Sequence, residues 1–195
     1  MNLSIITSFV IGGLMLLSIL AFNMRLTSST QETTLSTINQ QKMDNLVEIL
    51  SYDINRIGYN NDTSVDMDNP IMTAEDDEIE FQTSDGNIRW YINTADEVST
   101  TSNPNDFYLY RDDGPGVDAR FPVTFFSLKY YDKDGAEISD ISSIRQRNLS
   151  VEVKLVVESA EPTSSRKSSS GISDTYHRTA WNRVFHPTII NKPWY

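Results

Sequence analysis

The chain has 195 residues and a formal net charge of −11. It contains no cysteine, which excludes a disulfide framework, a cysteine zinc site and a thiol nucleophile. The charge is uneven, with 8 basic and 23 acidic residues up to position 140 and 8 basic and 4 acidic residues after it. An acidic surface argues against nucleic acid as a partner for the body of the protein, whereas opposite charges in the two parts suit pairing within the fold or between copies.

The first 57 residues predict one long helix, because no charged side chain precedes Arg25 and no proline precedes Pro70. The apolar first half is followed by an amphipathic second half, in which apolar residues recur at helical spacing. These residues are Leu35, Ile38, Leu46, Ile49, Leu50, Ile54 and Ile57. At about 1.5 Å per residue the helix would be roughly 85 Å long. This is far more than one bilayer core of about 30 Å requires.

The apolar half, residues 1–25, has three interpretations. A cleaved signal peptide requires a basic segment before the apolar run and small residues at a cleavage site. No Lys or Arg precedes the apolar run, and LAFNMRL is a poor cleavage site. A single-pass membrane anchor is the second interpretation. The third is a helix that lies in lipid before assembly and in a bundle of like helices afterwards. The unbroken continuation into residues 26–58 favours the third interpretation.

Helices in such a bundle associate through close packing, since lipid already satisfies their apolar side chains. Gly12 and Gly13 would allow close approach or local unwinding there; the alternative is that they are tolerated glycines of a transmembrane helix. The predicted assembly residues of this half are Phe9, Val10, Gly12, Gly13, Leu16 and Leu17.

Residues 59–195 predict a domain of antiparallel strands. Gly58 is expected to end the helix in the left-handed conformation, and Asp85-Gly86 to turn a hairpin. Short alternating runs predict six strands, at EIEFQT, IRWYINT, DFYLYR, VTFFSLKYYD, NLSVEVKLVVES and YHRTAWNRVFHP. The serine-rich segment EPTSSRKSSSGISD has no apolar period and is predicted to be a mobile loop.

Hairpin connections favour a single antiparallel sheet, one face of which must be covered. The predicted cover is the apolar stripe at the end of the helix. Its residues are Leu46, Leu50, Ile54 and Ile57. The predicted fold is therefore α+β, with a long N-terminal helix whose far half packs on an antiparallel sheet.

The segment NLVEILSYDINRIGYN resembles the helix end of type IV pilin-like proteins, in particular PilW-like minor pilins and the J-type minor pseudopilins of type II secretion. In those families an aliphatic helix runs into an Asp, an Arg and a Gly-Tyr pair, which are Asp53, Arg56, Gly58 and Tyr59 in this chain. FFSLKYYDKDGAEI resembles their mid-domain strand-turn-strand. SVEVKLVVESAEP and YHRTAWNRVFHPTIIN resemble their last two strands. The resemblance covers most of the chain.

This resemblance implies a non-enzymatic structural subunit of a type IV pilus-like or pseudopilus filament. The subunit would first be a single-pass protein of the bacterial inner membrane and later part of an extracellular or periplasmic filament. Its implied partners are copies of itself or other pilin-like subunits, membrane lipid, and the pilus or secretion assembly machinery. The alternative function is a membrane-tethered extracytoplasmic binding domain that does not polymerise.

The sequence departs from the family pattern in two places. Family precursors carry a short basic leader ending in glycine, and none is visible before the apolar run, so we expect either numbering from the mature Met1 or insertion without processing. The mature helix of the family usually has Glu at its fifth position, where it pairs with a neighbouring subunit's N-terminal amine. Ile5 removes that pairing. The resemblance therefore implies a tip subunit, or one using another register.

The sequence offers little chemistry beyond this. It has no nucleophile elbow or phosphate-binding loop, and we expect no cofactor. His177 and His186 are nine residues apart, too far along one strand to ligate one metal. A weak calcium candidate is the loop group Asp62, Asp66 and Asp68. A nucleic-acid-binding variant would need the basic residues Arg145, Arg147, Arg166, Lys167 and Arg178.

Overall fold

The computed structural model describes residues 3–59, 69–83, 85–114, 119–139, 149–168 and 171–187. It begins with one continuous helix, α1 (Leu3–Asn55), of 53 residues. At about 1.5 Å per residue, α1 is roughly 80 Å long. The chain leaves the helix as predicted, because Gly58 has a positive φ of 72° and its N–H donates to the Gln82 carbonyl at 3.2 Å.

A five-stranded antiparallel sheet follows the helix. Its strands are β1 (Ile71–Ala74), β2 (Glu78–Thr83), β3 (Gly86–Glu97), β4 (Phe107–Asp112) and β5 (Ala119–Val123), in that order across the sheet. The predicted hairpin joins β2 to β3, where Thr83 pairs with Gly86. Gly86 has a φ of 129°, a conformation that side-chain-bearing residues rarely adopt.

The rest of the chain forms a second sheet and a separate hairpin. The strands are β6 (Phe125–Tyr131), β7 (Glu137–Ile138), β8 (Ser150–Glu158), β9 (Ser164–Ser168), β10 (Gly171–Thr175) and β11 (Arg178–Phe185). The second sheet has the order β11-β8-β6-β7 and is antiparallel throughout, while β9 and β10 form a two-stranded hairpin. The predicted inward set of NLSVEVKLVVES is buried, on β8 and at the residue before it: Leu149, Val151, Val153, Leu155 and Val157 are at most 2% exposed.

The predicted α+β fold is confirmed, but the prediction of one six-stranded sheet is wrong. VTFFSLKYYD is not a single strand. Val123 ends β5 by pairing with Phe107, whereas Phe125 begins β6 by pairing with Val156. Between them, the Thr124 N–H donates to the Val156 carbonyl at 2.9 Å. The chain thus changes sheets within one residue, and the buried set shifts with it: Val123 is buried, Phe125 is exposed and Phe126 is buried. The adjacent apolar residues Phe125 and Phe126 hide this shift when the sequence is taken as one alternating strand.

The prediction of a mobile loop at EPTSSRKSSSGISD is also wrong. Most of this segment is the β9–β10 hairpin, in which Ser164 pairs with Thr175 and Ser168 with Gly171. The Thr163 N–H donates to the Thr175 carbonyl at 2.8 Å and continues the ladder toward the second sheet. The hairpin is made by main-chain bonds. The absence of an apolar period therefore does not exclude a hairpin in this segment.

The core lies between the end of α1 and the inner faces of both sheets. Leu46, Leu50, Ile54 and Ile57 are at most 1% exposed, and they belong to one buried cluster with residues of the two sheets. The largest buried side chain of the first sheet is Trp90, which stacks on Phe121 with ring centroids 5.9 Å apart. The helix therefore supplies one wall of the domain's core.

We expect Leu50→Ala to destabilise the domain by about 2–5 kcal/mol, because it removes a fully buried side chain and leaves a cavity. Leu26→Ala is the matched control: it is the same substitution on the same helix at a side chain that is 56% exposed. Urea unfolding of the full chain in detergent, followed by tryptophan fluorescence, measures both. Equal unfolding midpoints for the two variants would contradict the proposed core.

Candidate functional site

The N-terminal half of α1 is exposed. Among the described side chains, none before Leu35 is even partly buried. An 18-residue window of this helix has a mean hydropathy of 2.0 and no buried residue, so the helix is long and apolar enough to span a membrane. The predicted assembly residues lie in this half, with Phe9 79% and Leu16 68% exposed. Val10 and Leu17 are exposed as well, and a Cβ at Gly12 or Gly13 would meet no atom within 4 Å.

A polar stretch follows the apolar run without breaking the helix. Six hydroxyls in it donate to the carbonyl four residues earlier, at 2.8–3.1 Å; they belong to Thr27, Ser28, Thr30, Thr33, Thr34 and Thr37. Serine and threonine often compete with helical hydrogen bonding, but here they bond within the helix itself. The helix consequently runs unbroken from the exposed half into the domain.

A buried carboxylate fastens the end of the helix to the first sheet. Asp53 is fully buried, and its Oδ2 accepts hydrogen bonds from Trp90 Nε1 at 3.0 Å and from Arg111 Nε at 2.6 Å. A second guanidinium N–H of Arg111 donates to Asp53 Oδ1 at 3.2 Å. The hydrogen bond to Asp53 is the main cause that raises the pKa of Arg111 above its ordinary value, so the partner cation stays charged.

The sequence pattern contained half of this anchor. The motif at the helix end includes Asp53, but it does not identify Trp90 and Arg111 as the partners of this carboxylate. A usable signal was present, because Asp53 lies between Leu50 and Ile54 on the stripe expected to be buried. A carboxylate there needs a cation and further donors on the covering sheet. Arg111, near the end of β4, carries that charge into the helix–sheet contact.

The other residues of the resemblance motif lie just beyond the anchor. Arg56 forms an ion pair with Asp85 in the β2–β3 turn, and its guanidinium lies 5.0 Å from the centre of the Tyr52 ring. The Tyr59 N–H donates to the Arg56 carbonyl at 2.8 Å. The ion pair therefore ties the helix end to the β2–β3 hairpin, and the bond from the Gly58 N–H to the Gln82 carbonyl adds a main-chain tie to β2.

A second, polar anchor holds the middle of α1 to the second sheet. Asn39 is 1% exposed, and its Nδ2 donates to the His177 carbonyl at 2.9 Å. The same carbonyl accepts the N–H of Ser159 at 2.9 Å, and Ser159 Oγ accepts the His177 N–H at 2.9 Å. We call this end of the second sheet, where β8 ends and β11 begins, the proximal end of the domain.

Two buried carboxylates lie beside this polar anchor. Glu158 accepts hydrogen bonds from Asn103 Nδ2 at 3.0 Å and from Arg178 Nε at 2.8 Å. Asp106 is 2% exposed, and its burial raises the pKa of its carboxyl group. The charge of Glu158 acts in the same direction, while a hydrogen bond from Thr101 and the charge of Lys42 oppose it. Asp106 therefore favours its neutral form more strongly in the folded protein than in the unfolded chain.

The outer face of the first sheet carries a ladder of arginine and tyrosine. Tyr91 stacks on Tyr110 with ring centroids 5.1 Å apart, and the Arg89 guanidinium lies 4.4 Å from the Tyr91 ring centre. Arg89 also donates to Glu78 at 2.8 Å. Arg120 lies 4.6 Å from the Tyr108 ring centre. These contacts join strands β2 to β5, so the ladder stabilises the pairing of the sheet.

The remaining predicted site residues fall in separate places. Asp62, Asp66, Asp68, Arg145 and Arg147 lie outside the described residues. Elsewhere, within the part of the chain that the structure describes, no group of three or more acidic or histidine residues is placed to hold a metal ion.

The two histidines lie at opposite ends of β11. His177 precedes the strand, whereas His186 follows it with Nδ1 2.6 Å from Ser150 Oγ. This serine–histidine contact joins the start of β8 to the end of β11. We call that end of the second sheet, where β8 begins and β11 ends, the distal end of the domain.

We expect Asp53→Ala to destabilise the domain by about 3–5 kcal/mol, because it leaves the Arg111 cation and the Trp90 N–H without their buried partner. Asp44→Ala removes the same charge from an exposed position of the same helix and should change stability by less than about 0.5 kcal/mol. Chemical unfolding of both variants measures the difference. Similar losses in the two variants would show that net charge matters rather than the anchor.

We also expect Asp106→Asn to change how stability depends on pH. The raised pKa of Asp106 means that its stabilising contribution is complete below the ordinary value of 3.8 and is lost as the pH rises through the folded-state pKa. The variant lacks this loss. Its stability relative to the unchanged protein should therefore increase between about pH 4 and pH 7. A difference that stays constant over this range, measured by urea unfolding at each pH, would contradict the assignment.

Comparisons with known proteins returned no match to a family model, a curated protein or a solved structure. The geometry of the chain itself is therefore the basis for its function. That geometry is an exposed apolar half-helix, joined without a break to a half-helix that two polar anchors and one apolar stripe hold against a sheet domain.

Proposed function

We propose that the protein is a structural subunit of a type IV pilus-like or pseudopilus filament. The single observation that carries the proposal is the continuity of α1 from a wholly exposed apolar half into a firmly anchored half. An exposed apolar surface of this size needs a cover, which a membrane or a bundle of like helices can supply. Because the helix is unbroken, movement of its apolar half between these environments would carry the domain with it.

Assembly in this proposal is a transfer between two apolar surroundings. The subunit first waits in the bacterial inner membrane as a single-pass protein. Pilus or secretion machinery then moves the apolar half from lipid into the filament core, where it packs against copies of itself or other pilin-like subunits. Little apolar surface meets water in either state, so close packing decides the association. Gly12 and Gly13 have open space around their Cβ positions and suit a close helix–helix contact.

The proposed subunit would occupy a particular place in the filament. Ile5 lacks the charge with which pilin helices of the resembled families pair to a neighbouring amine. An apolar residue there is compatible with lipid, and it leaves the neighbour's amine to another partner. The absence of this charge supports a tip or minor position, or another packing register, for this chain.

The alternative function is a tethered binding domain that stays in the membrane and does not polymerise. It uses the same apolar helix as a simple anchor and differs in one measurable respect. The tether predicts lipid as the lasting neighbour of the apolar half. The filament subunit predicts that other helices replace the lipid.

In-cell photocrosslinking distinguishes these two functions. A photoreactive residue at Leu16, which is 68% exposed in the apolar half, should give a ladder of self-adducts or adducts with pilin-like proteins. The matched control places the same photoreactive residue at Lys133, whose side chain is 69% exposed in the β6–β7 turn. Filaments sheared from the cells should contain the chain. Adducts with lipid alone, together with sheared material lacking the chain, would leave the tether as the function.

A further inference from the structure

The first 41 residues of the chain contain two charged side chains, Arg25 and Glu32. Both are exposed on α1, and the ion pairs among the described residues include neither of them. They are seven residues, or about two turns, apart, whereas side chains of one helix pair at a spacing of three or four. Each charge is therefore left to a partner outside its own helix.

A cleft beside Glu32 offers a place for a cation. It has a volume of about 670 Å³ and lies between helix residues 26–35 and residues 161–163, which follow the proximal end of the domain. Among the described residues that line it, the charged ones are Glu32 on the helix wall and Glu161 on the domain wall. Glu161 Oε2 accepts a hydrogen bond from Ser102 Oγ at 3.1 Å, so a neutral donor holds this carboxylate in place. Carboxylates thus lie on both walls of the cleft.

The surroundings of Arg25 change when the subunit assembles, a step that rests on the proposed filament function. In the membrane Arg25 ends the uncharged run, and its long side chain reaches the headgroup layer. In the filament core the apolar halves of neighbouring copies replace headgroups and water, and an unpaired charge among them is costly. The nearest carboxylate along an identical helix is Glu32, since the next one, Asp44, is 19 positions from Arg25.

We propose that Arg25 of one copy enters the cleft of a neighbouring copy and pairs there with Glu32, with Glu161 as a second carboxylate. Parallel helices joined in this way are displaced along their axes by seven residues, about 10.5 Å. Each copy gives its cation to one neighbour and its cleft to another. Such a heterologous contact does not close on itself in a pair and can extend into an open filament.

Cysteine cross-linking in cells tests the proposed displacement, because the unchanged chain contains no cysteine. Arg25→Cys combined with Glu32→Cys should give a ladder of disulfide-linked dimers, trimers and longer species after mild oxidation. Within one helix the two positions are about 10.5 Å apart, beyond the roughly 7 Å that a disulfide spans, so each bond must join two copies. Either single variant has one thiol and should stop at dimers.

The matched control combines Arg25→Cys with Gln40→Cys, at another exposed position of the same helix. These two cysteines are 15 residues apart and should give no ladder beyond dimers. Dimers alone from the variant with cysteines at 25 and 32, or an equally long ladder from the control, would overturn the proposed displacement.

Charge exchange tests the ion pair itself. Arg25→Glu should lower the amount of chain in sheared filaments, relative to the chain in the membrane, at least about tenfold, because it places like charges in contact. Arg25→Glu with Glu32→Arg should restore the filaments. Arg25→Glu with Asp44→Arg has the same net charge but the wrong spacing, and it should not restore them.

A second control is Lys133→Glu, which reverses one exposed cation near the distal end and should leave the filament yield unchanged. Failure of the Glu32→Arg exchange to restore filaments, or equal restoration by Asp44→Arg, would overturn the ion pair.

The photocrosslink at Leu16 separates this contact from the filament function on which it rests. Self-adducts from Leu16 without a cysteine ladder would reject the contact between Arg25 and Glu32 and leave the filament function standing. Lipid adducts alone from Leu16 would reject the filament function, and the contact with it.

Discussion

The bond between Asp53 and Arg111 is the interaction on which the position of the helix depends. Removal of Arg111 leaves the buried Asp53 carboxylate without a cation, and removal of Asp53 leaves Arg111 only the more exposed Asp113 as an ionic partner. The apolar contacts around this pair tolerate small shifts. A rotation of the helix by one residue would turn Asp53 about 100° away from its donors. The stripe of Leu50, Ile54 and Ile57 gives the helix a reason to pack. Asp53 decides in which rotation and at which height it does so.

Two further bonds extend this control along the helix. Asn39 fixes the middle of α1 to the second sheet through the His177 carbonyl, and the Gly58 N–H fixes the chain just after the helix to the first sheet. The helix continues for 16 residues from Asn39 to its end at Asn55, so roughly 24 Å of helix is held at both ends. The domain and the part of α1 after Asn39 therefore move as one unit. The unbroken helix links the fold to the proposed filament role, because displacement of the apolar half also displaces the domain.

Much of the fold was predictable because it follows from burial. The apolar stripe near Leu50 and the alternation around Val153 both report which side faces the core, and both sets of residues are buried. Features that depend on main-chain pairing were not predictable in this way. The switch between sheets at Thr124 moves the buried set from Val123 to Phe126, but the adjacent Phe125 and Phe126 make the segment look like one apolar strand. The β9–β10 hairpin contains almost no apolar residue. The partners of Asp53 were missed for a related reason, since a sequence shows that a buried charge needs a cation without showing which strand brings it.

The hydroxyls between Thr27 and Thr37 have a mechanical consequence. Each of the six donates to a carbonyl that already serves the helical ladder, and such doubly used carbonyls favour slight bending of a helix. This stretch lies between the apolar half and the first anchor at Asn39. Lateral force on the domain would therefore bend α1 in this stretch, between its two halves. Such bending would reduce the strain on the hydrogen bonds of Asp53.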